Sequence, residues 1–590
     1  MYAPYELMND VSKVNTTHLT ETCLVTPDGN GYTWGQFGAC VRAWRDWMGS
    51  DEVAKRVLVA RLDLSLPSLS LMVAAVEEPV RIAWLPLGLP AARELEMIAE
   101  LSEAAMLGQN VMLVDEALAE RVAGSPQTHG VEYEDTRVGI DFTWNNDAKF
   151  IYFTSGSEGT PKAVQVGMRA IRNRIEWMWD QYPYEPLDRV VIQKPLSFVA
   201  SYWEVLGALL QGVTGILISS AERSRPDRFF DAVAGTAATH LFATPAALLG
   251  LAEIATEQGT TLTALKLVCS SADRLTGDVA QRFLEAAPRA QLLNLYGATE
   301  TTANTTVFEV PRAKTLHDQL PLGRPIANTK IVIRDAQGHA KEAGQEGLIC
   351  VQGAPVAEGY VVGGHVTDGG VFFGSEGADR EIRTGDLGYV ESGLLYLTGR
   401  ADNAVNISGY KIHLEEIENA ARKLAGVSGQ CGALYRNDSS GEYLALVIPL
   451  EWEPQVTSQK LSEFLPPYMV PQRIVPVASV PKVRTGKVDR SACLALTLEG
   501  QSPAQEEKPS RAAGRLQASV EKLWCAALGQ GSQLSTGDFF AAGGDSLRAV
   551  RLLASLRQEL GVRIPLRGFY SDPTLTYLVE LLGVDLSGAE

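Results

Sequence analysis

The sequence has little of what marks metal, membrane or nucleic-acid proteins. Its seven cysteines (Cys23, Cys40, Cys269, Cys350, Cys431, Cys493 and Cys525) are scattered, with no pair at C-x-x-C spacing. Neither a zinc site nor a disulfide framework is indicated, and a reducing compartment fits. The seven histidines form no H-x-x-x-H pair, so no metal cage of protein side chains is expected. Basic residues are outnumbered, 52 against 70 acidic ones, for a net charge of −18. That balance argues against nucleic acid, whose phosphates need a basic surface. The opening MYAPYELMND lacks the basic start and apolar core of a signal peptide. The longest apolar stretch, around 195–218, is broken by Glu204 and Gln211, so no membrane span is predicted. The expectation is a cytoplasmic protein. No repeat recurs at a fixed period, and no G-x-G-x-x-G follows a strand, which removes support for a dinucleotide fold.

What is present is organised. A chain of 590 residues exceeds one hydrophobic core and predicts two to four domains. From about 55 to 400, continuous apolar runs alternate with helical patterns. VLVAR (57–61), KFIYFTS (149–155), RVVIQKP (189–195), GILISS (215–220), HLFATP (240–245), LKLVCSS (265–271) and QLLNLYG (291–297) read as strands. DVAQRFLEAA (278–287) reads as a helix between two of them. Strands apolar on both sides predict an α/β fold with mostly parallel sheets covered by helices. The region 320–400 is glycine-rich with short strands and predicts a β subdomain. A smaller α+β unit is expected from 401 to 497, and a Pro/Gln/Glu-rich linker over 498–514. From 515 to 590, LQASVEKLWCAALG, SLRAVRLLASLRQEL and TLTYLVELLG carry apolar residues at helical spacing, which predicts a small all-α bundle.

The stretch TSGSEGTPK (154–162) follows a predicted buried strand. Its backbone N–H groups, its hydroxyls and Lys162 suit an anion, although glycine and serine are also common in plain turns. It is not a Walker A loop, because Pro161 stands where the second glycine belongs. Four more segments bear on it: NLYGATETT (294–302), IRTGDLGYV (382–390), GRADNAVNISGYKIHLEEIE (399–418) and PKVRTGKVDR (481–490). With GYTWGQF (31–37), GLICVQGAPVAEGY (347–360) and LPPYMVP (465–471), these motifs, in this order, resemble the adenylate-forming superfamily. The nearest resemblance is to adenylation domains of nonribosomal peptide synthetases, over roughly 20–495. DFFAAGGDSLRAVRL (538–552) resembles the attachment segment of a peptidyl carrier (thiolation) domain, a four-helix bundle. The bland reading of Ser546 there is a plain helix N-cap.

The resemblance implies a large core over 1–400, a mobile subdomain over 401–497 and a carrier over 515–590. It implies that Thr154, Ser155, Gly156, Ser157, Gly159, Thr160 and Lys162 hold the β- and γ-phosphates of ATP. Thr299 would meet the α-phosphate and Glu300 would bind Mg²⁺, a hard cation that prefers oxygen ligands. Tyr296 would stack on adenine beside Gly297, and Asn294 would bind its amino group. Asp386 would accept from the ribose hydroxyls, with Arg400 helping. Lys487 would bridge the substrate carboxylate and the α-phosphate, and Asp402 would be the hinge. Ser546 would carry 4′-phosphopantetheine.

The same resemblance aligns a substrate pocket of Phe198, Val199, Ala200, Trp203, Phe242, Val268, Ser270, Leu295, Ala303 and Asn304. The family's usual aspartate for an α-ammonium is replaced by Val199. A buried ammonium without a carboxylate costs about 3–5 kcal/mol, or about 10² or more in affinity. The expected substrate is therefore a small carboxylic acid without a free α-amino group: a β-alanine-like β-amino, hydroxy, keto or simple acyl acid. An α-amino acid held without the aspartate remains an alternative. The implied partners are a phosphopantetheinyl transferase and a condensation, ketosynthase or tailoring enzyme acting in trans. A small MbtH-like activator is an optional one. Two other readings stay open: a ligase using free coenzyme A, and a non-catalytic scaffold that presents a carrier.

Overall fold

The computed structural model describes residues 21–53, 56–101, 111–123, 142–155, 161–313, 315–317, 319–374, 380–407, 410–426, 430–438, 441–452, 456–482, 488–499, 512–528, 537–539, 546–562 and 564–586. Gly156, Ser157, Gly159, Thr160 and Lys487 lie outside these residues, as does most of the expected linker.

The apolar runs form strands because each can bury both of its faces. Val57–Ala60, His240–Ala243 and Leu267–Ser270 are buried at every position. They belong to two mixed sheets whose parallel interiors are helix-covered. The larger sheet has nine strands. Gln291–Tyr296, Leu267–Ser270, His240–Ala243, Arg189–Ile192, Thr214–Leu217 and Thr22–Val25 run parallel across its middle. Thr306–Glu309 and Gly31–Thr33 pair antiparallel toward its two edges. The second sheet has seven strands, with Lys149–Thr154, Arg81–Trp84, Val57–Ala60 and Val111–Val114 parallel. Lys162–Gly167 folds back antiparallel on Lys149–Thr154. A third, antiparallel sheet runs through Thr329–Arg334, Gly347–Gly353, Glu381–Glu391 and Leu394–Arg400.

Beyond it lies a smaller unit. The hairpin Ala404–Ile407 and Tyr410–His413 leads into the helix Leu414–Ala425, which Gly426 ends in the left-handed conformation at φ 65°. A three-stranded sheet of Gly432–Asp438, Gly441–Pro449 and Arg473–Val477 follows. Its alternation separates two faces. Ala433, Leu444, Leu446 and Ile448 pack with Ile412 and Ile417, toward the hairpin and helix. Leu434, Tyr443, Ala445 and Val447 pack on the far side with Val480, Val488 and Cys493. Val480 and Val488, which bracket the segment holding Lys487, therefore sit across the sheet from the hairpin.

The C-terminal helices Ala512–Leu528, Ser546–Leu560, Leu566–Ser571 and Leu575–Leu586 surround edge-to-face rings of Trp524, Phe539 and Phe569. The first helix begins at Ala512, inside the stretch expected as linker, because the LQASVEKLW periodicity extends toward its N-terminus. The bundle rests on the core. Arg567 pairs with Asp231 of the helix Pro226–Gly235, and the Leu566 N–H donates to Glu257 Oε2 at 3.1 Å. The Arg225 guanidinium lies 5.5 Å from the centre of the Tyr570 ring. Among the described residues, no helix is long and apolar enough to cross a membrane.

Candidate active site

The site forms where strand ends from all three sheets meet the hairpin of the smaller unit. Thr154 and Lys162 pair at the ends of their two antiparallel strands, and the Thr154 hydroxyl is buried with no partner among the described residues. Ser155 donates its hydroxyl to the Lys411 carbonyl, so the hairpin reaches the end of the strand Lys149–Thr154. The next wall follows Gln291–Tyr296. Gly297 has no space for a side chain, since a Cβ there would lie 2.2 Å from the Ala303 carbonyl oxygen. Thr299–Thr301 make one 3₁₀ turn. Thr302 and Ala303 then take left-handed backbone at φ 52° and 70°. Two successive non-glycine residues in that region are strained, and such strain clusters at functional sites. The turn is pinned by the Tyr202 hydroxyl on the Thr302 carbonyl (2.9 Å) and by the Thr302 hydroxyl on Pro355 O (2.8 Å).

This turn buries Glu300. Burial pushes its carboxyl up, but Lys411, its own backbone N–H, the Tyr360 hydroxyl (3.1 Å to Oε1) and Lys162 outweigh burial and hold it below the usual value. Lys162 stands over the Tyr360 ring at 5.2 Å. The result is an ionised carboxylate between two lysines, with Oε2 turned from Tyr360. Its oxygen donors fit a hard cation such as Mg²⁺ and the phosphates such a cation would carry.

Asp386 is the second anionic centre. The Tyr296 hydroxyl donates to its Oδ2 at 2.6 Å, and Arg400 donates to Oδ1. Burial raises its pKa above the ordinary value, although Arg400 and Tyr296 work against the shift. Arg400 also grips Asp402 with two N–H groups at 2.6 and 2.7 Å. The expected hinge is thereby tied to the expected ribose residue through one guanidinium. Gly385, at φ 81°, makes this possible, since a Cβ there would lie 2.8 Å from Arg400 Nη2. Asn294 Nδ2 donates to Pro321 O at 2.9 Å, which fixes the amide with its oxygen as the remaining acceptor.

Lys411 was not among the residues expected at the site, yet its charge acts on Glu300, Asp386 and Asp402 together. It comes from Tyr410–His413, held against the core by Tyr410, whose ring meets Phe198 edge-on at 4.8 Å and stacks on Tyr468 at 3.8 Å. GYKIH in the sequence carried the signal, a lysine flanked by apolar residues on a hairpin next to the hinge.

The expected substrate pocket is brought together except at two positions. Trp203 and Phe242 lie 5.5 Å apart, packed with Val199, Ala200, Leu295 and Ala303. Asn304 is buried beside them. The strand register pairs Phe242 with Cys269, so Cys269 shares this face. Val268 pairs with Leu241 and packs on the opposite face with Ala243 and Leu292, so the pocket assignment at Val268 is corrected to Cys269. Ser270 continues the Val268 side of the strand and pairs with Ala243 and Asn294. The next place is taken by Ser271, whose hydroxyl accepts from Asn304 Nδ2 at 3.1 Å. A period-two count from Phe242 across the parallel pair would have found both. Glu204 turns from this face and accepts from the backbone N–H groups of Gln193 and Lys194, each at 2.8 Å, while burial pushes its carboxyl up to about 7. Ser546 opens the helix Ser546–Leu560.

Residues 17–361 match the family model of AMP-binding enzymes. The chain belongs to the AMP-binding enzyme family. Residues 518–582 match the phosphopantetheine attachment site model, which implies a covalent pantetheine arm, as the first match implies use of ATP. Among curated relatives, this family member is 31% identical over 492 residues to the AMB antimetabolite synthetase AmbB of Pseudomonas aeruginosa, covering 80% of this chain and 37% of that one. It is 31% identical over 463 residues to phenyloxazoline synthase MbtB of a Mycobacterium species, covering 75% and 38%. The chain thus spans well under half of the length of these relatives. Its fold is that of holo-PA1221, an NRPS protein containing adenylation and PCP domains bound to a vinylsulfonamide inhibitor. The two superimpose with a TM-score of 0.71 at 24% identity, covering 96% of this chain and 94% of the other. The α/β adenylate-forming core followed by a helical carrier bundle is the fold the motifs implied.

Proposed function

We propose that this chain loads one small carboxylic acid onto its own carrier. A carboxylate oxygen attacks the α-phosphorus of ATP, the bond to the β-phosphate breaks, and pyrophosphate leaves. The acyl group then passes from the acyl-adenylate to the pantetheine thiol, releasing AMP. One observation carries this reading: a single chain joins the Glu300–Lys162–Lys411 and Asp386–Arg400 site to a phosphopantetheine attachment module in which Ser546 opens a helix.

The proposed roles follow from chemistry. Thr154, Ser155 and Lys162, with Gly156, Ser157, Gly159 and Thr160 between them, hold the β- and γ-phosphates. Glu300 holds Mg²⁺, Asp386 takes the ribose hydroxyls, and Tyr296 and Asn294 take adenine. Thr299 meets the α-phosphate, where charge builds as pyrophosphate departs. Lys487 supplies a cation there when the smaller unit turns about Asp402. In the arrangement described here Lys411 of the hairpin occupies that neighbourhood, which supports a second orientation for thiol transfer. The boundaries proposed are 1–400 for the core, 401–497 for the mobile unit and the start of Ala512–Leu528 for the carrier.

The acid has no free α-amino group, because Val199 and Ala200 offer an ammonium no partner. A phosphopantetheinyl transferase must modify Ser546, and a separate enzyme must take the acyl thioester. The test is pyrophosphate exchange over a broad acid panel, followed by intact-mass measurement of the pantetheinylated chain with ATP. Lys487→Ala should abolish exchange while leaving the fold intact. Absence of exchange with every acid would favour the scaffold reading. Absence of a pantetheine mass gain at Ser546 would favour free coenzyme A as the acceptor.

A further inference from the structure

One buried cation at the substrate pocket has no use in the chemistry above. Arg174 lies on the helix Met168–Gln181 and is fully buried. Its Nη2 donates to Asn304 Oδ1 at 3.3 Å, and its Cζ sits 4.8 Å from the centre of the Trp177 ring. Nε and Nη1 are buried and have no hydrogen-bond partner. Among the described residues no carboxylate faces it. The groups that act on it electrostatically are Tyr202, Cys269, Tyr184 and Tyr182. Burial pushes the Cys269 thiol and all three phenols up, so none supplies a negative charge near neutral pH.

A guanidinium does not relieve burial by losing its proton as a lysine does. A buried charge needs a partner, and the face of Trp177 compensates only part of the loss of water. The missing partner belongs in the pocket. Arg174 bonds Asn304, and it interacts with Cys269, which pairs with Phe242 across the parallel strands. The other buried cation nearby, Lys194, whose Nζ stands 4.4 Å from the Phe242 ring centre, has the Glu204 carboxylate as its counter-charge, so Arg174 is the one left without. Glu204 also accepts from two backbone N–H groups on Oε2, and it does not act on Arg174. Asn304 is locked at both ends, by Arg174 on its oxygen and Ser271 on its nitrogen, so it holds the guanidinium in place and leaves two of its nitrogens, Nε and Nη1, without a partner among the described residues.

We propose that Arg174 is the counter-charge for a second acidic group of the substrate, so that the acid activated here is a short dicarboxylic acid. This rests on the adenylation reading. One carboxylate forms the bond to the α-phosphorus and expels pyrophosphate. The other stays ionised and unreacted, accepting from the Nη1 end of the Arg174 guanidinium. The close Trp203–Phe242 pair keeps the chain between the two carboxylates short.

The test is pyrophosphate exchange by the full chain with malonate, succinate and glutarate, against monocarboxylic acids of matching length and β-alanine. One diacid should exceed its monocarboxylic counterpart in kcat/KM by about 100-fold or more, since a site built for a polar group rejects the analogue lacking it. Arg174→Gln should remove that preference, chiefly through KM, while Arg174→Lys should retain part of it. Should Arg174→Gln melt early, the wild-type preference and the lysine variant decide. Exchange with monocarboxylic or amino acids at or above the diacid level would overturn the proposal and leave the adenylation reading standing. So would a diacid preference that survives Arg174→Gln in a folded protein. Exchange with no acid at all would overturn both.

Discussion

Arg93→Met should separate the two half-reactions. Arg93, on the core helix Ala91–Ala99, pairs with Glu416 on the helix Leu414–Ala425 of the smaller unit. Both are nearly water-free, with side-chain exposures of 7% and 1%. Arg93 also pairs with Glu96 of its own helix at 3.3 Å, and Lys423 of the smaller unit reaches Glu96 nearer solvent at 2.8 Å. In the proposed cycle, turning the smaller unit to bring Lys487 to the phosphates parts Arg93 from Glu416. The pair therefore favours the orientation in which Lys411 and its hairpin close the site. Removing the arginine leaves Glu416 buried without a counter-charge, at about 3–5 kcal/mol. The outer pair adds less than about 1 kcal/mol. At 1.4 kcal/mol per decade, this orientation should lose about 10²–10³ in relative population. Single-turnover loading of the pantetheinylated chain, followed by intact mass, should slow accordingly. Pyrophosphate exchange, which does not use this orientation, should hold or rise. Equal slowing of both half-reactions, or of neither, would refute the reasoning, and a thermal melt of the variant guards against simple unfolding.

Three further outcomes are expected. Ser546→Ala should leave exchange intact and eliminate the covalent acyl and pantetheine mass gains. Arg567→Glu sets like charge against Asp231 and should slow loading on the attached carrier by about tenfold without altering exchange; unchanged loading would mean that this docking face is not used. Stability should rise with pH between about 4 and 6.5. Burial holds His240 and His413 down at about 4, so the unfolded chain binds protons in that window that the folded one refuses. Glu204, raised to about 7, opposes this, its contribution being complete below 4.5 and lost as pH rises through 7. In urea titrations, His240→Gln should shrink the stability gap between about pH 5 and pH 7 by about 2 kcal/mol; an unchanged gap would exclude His240 as its source.

Much of the fold was legible because strands buried on both faces leave unbroken apolar runs. HLFA, LVCS and QLLNLY became strands within a residue or two of their expected limits. The helices of the bundle were likewise written in a 3.6-residue period. The site was legible where short motifs carry glycine at a close approach: Gly297 beside the crossing Ala303 backbone, and Gly385 directly before Asp386 in the strand Glu381–Glu391. It was less legible where strands cross. Whether Val268 or Cys269 lines the pocket depends on the register against His240–Ala243, a contact between segments far apart in sequence.

By itself, then, the sequence determined the order of strands and helices, the charged and hydroxyl groups at their ends, and the lack of an acidic partner at Val199. These are properties of local periodicity and of single residue types. Tertiary structure decided which charges meet. It brought the Lys411 charge to bear on both Glu300 and Asp386, joined Asp402 to Asp386 through Arg400, and opposed Arg93 to Glu416. It also left Arg174 buried with two nitrogens unpaired. The physical reason is that the energy of a charge depends on its distance to others and on the water removed from around it. Both are fixed only when segments remote in the chain pack together.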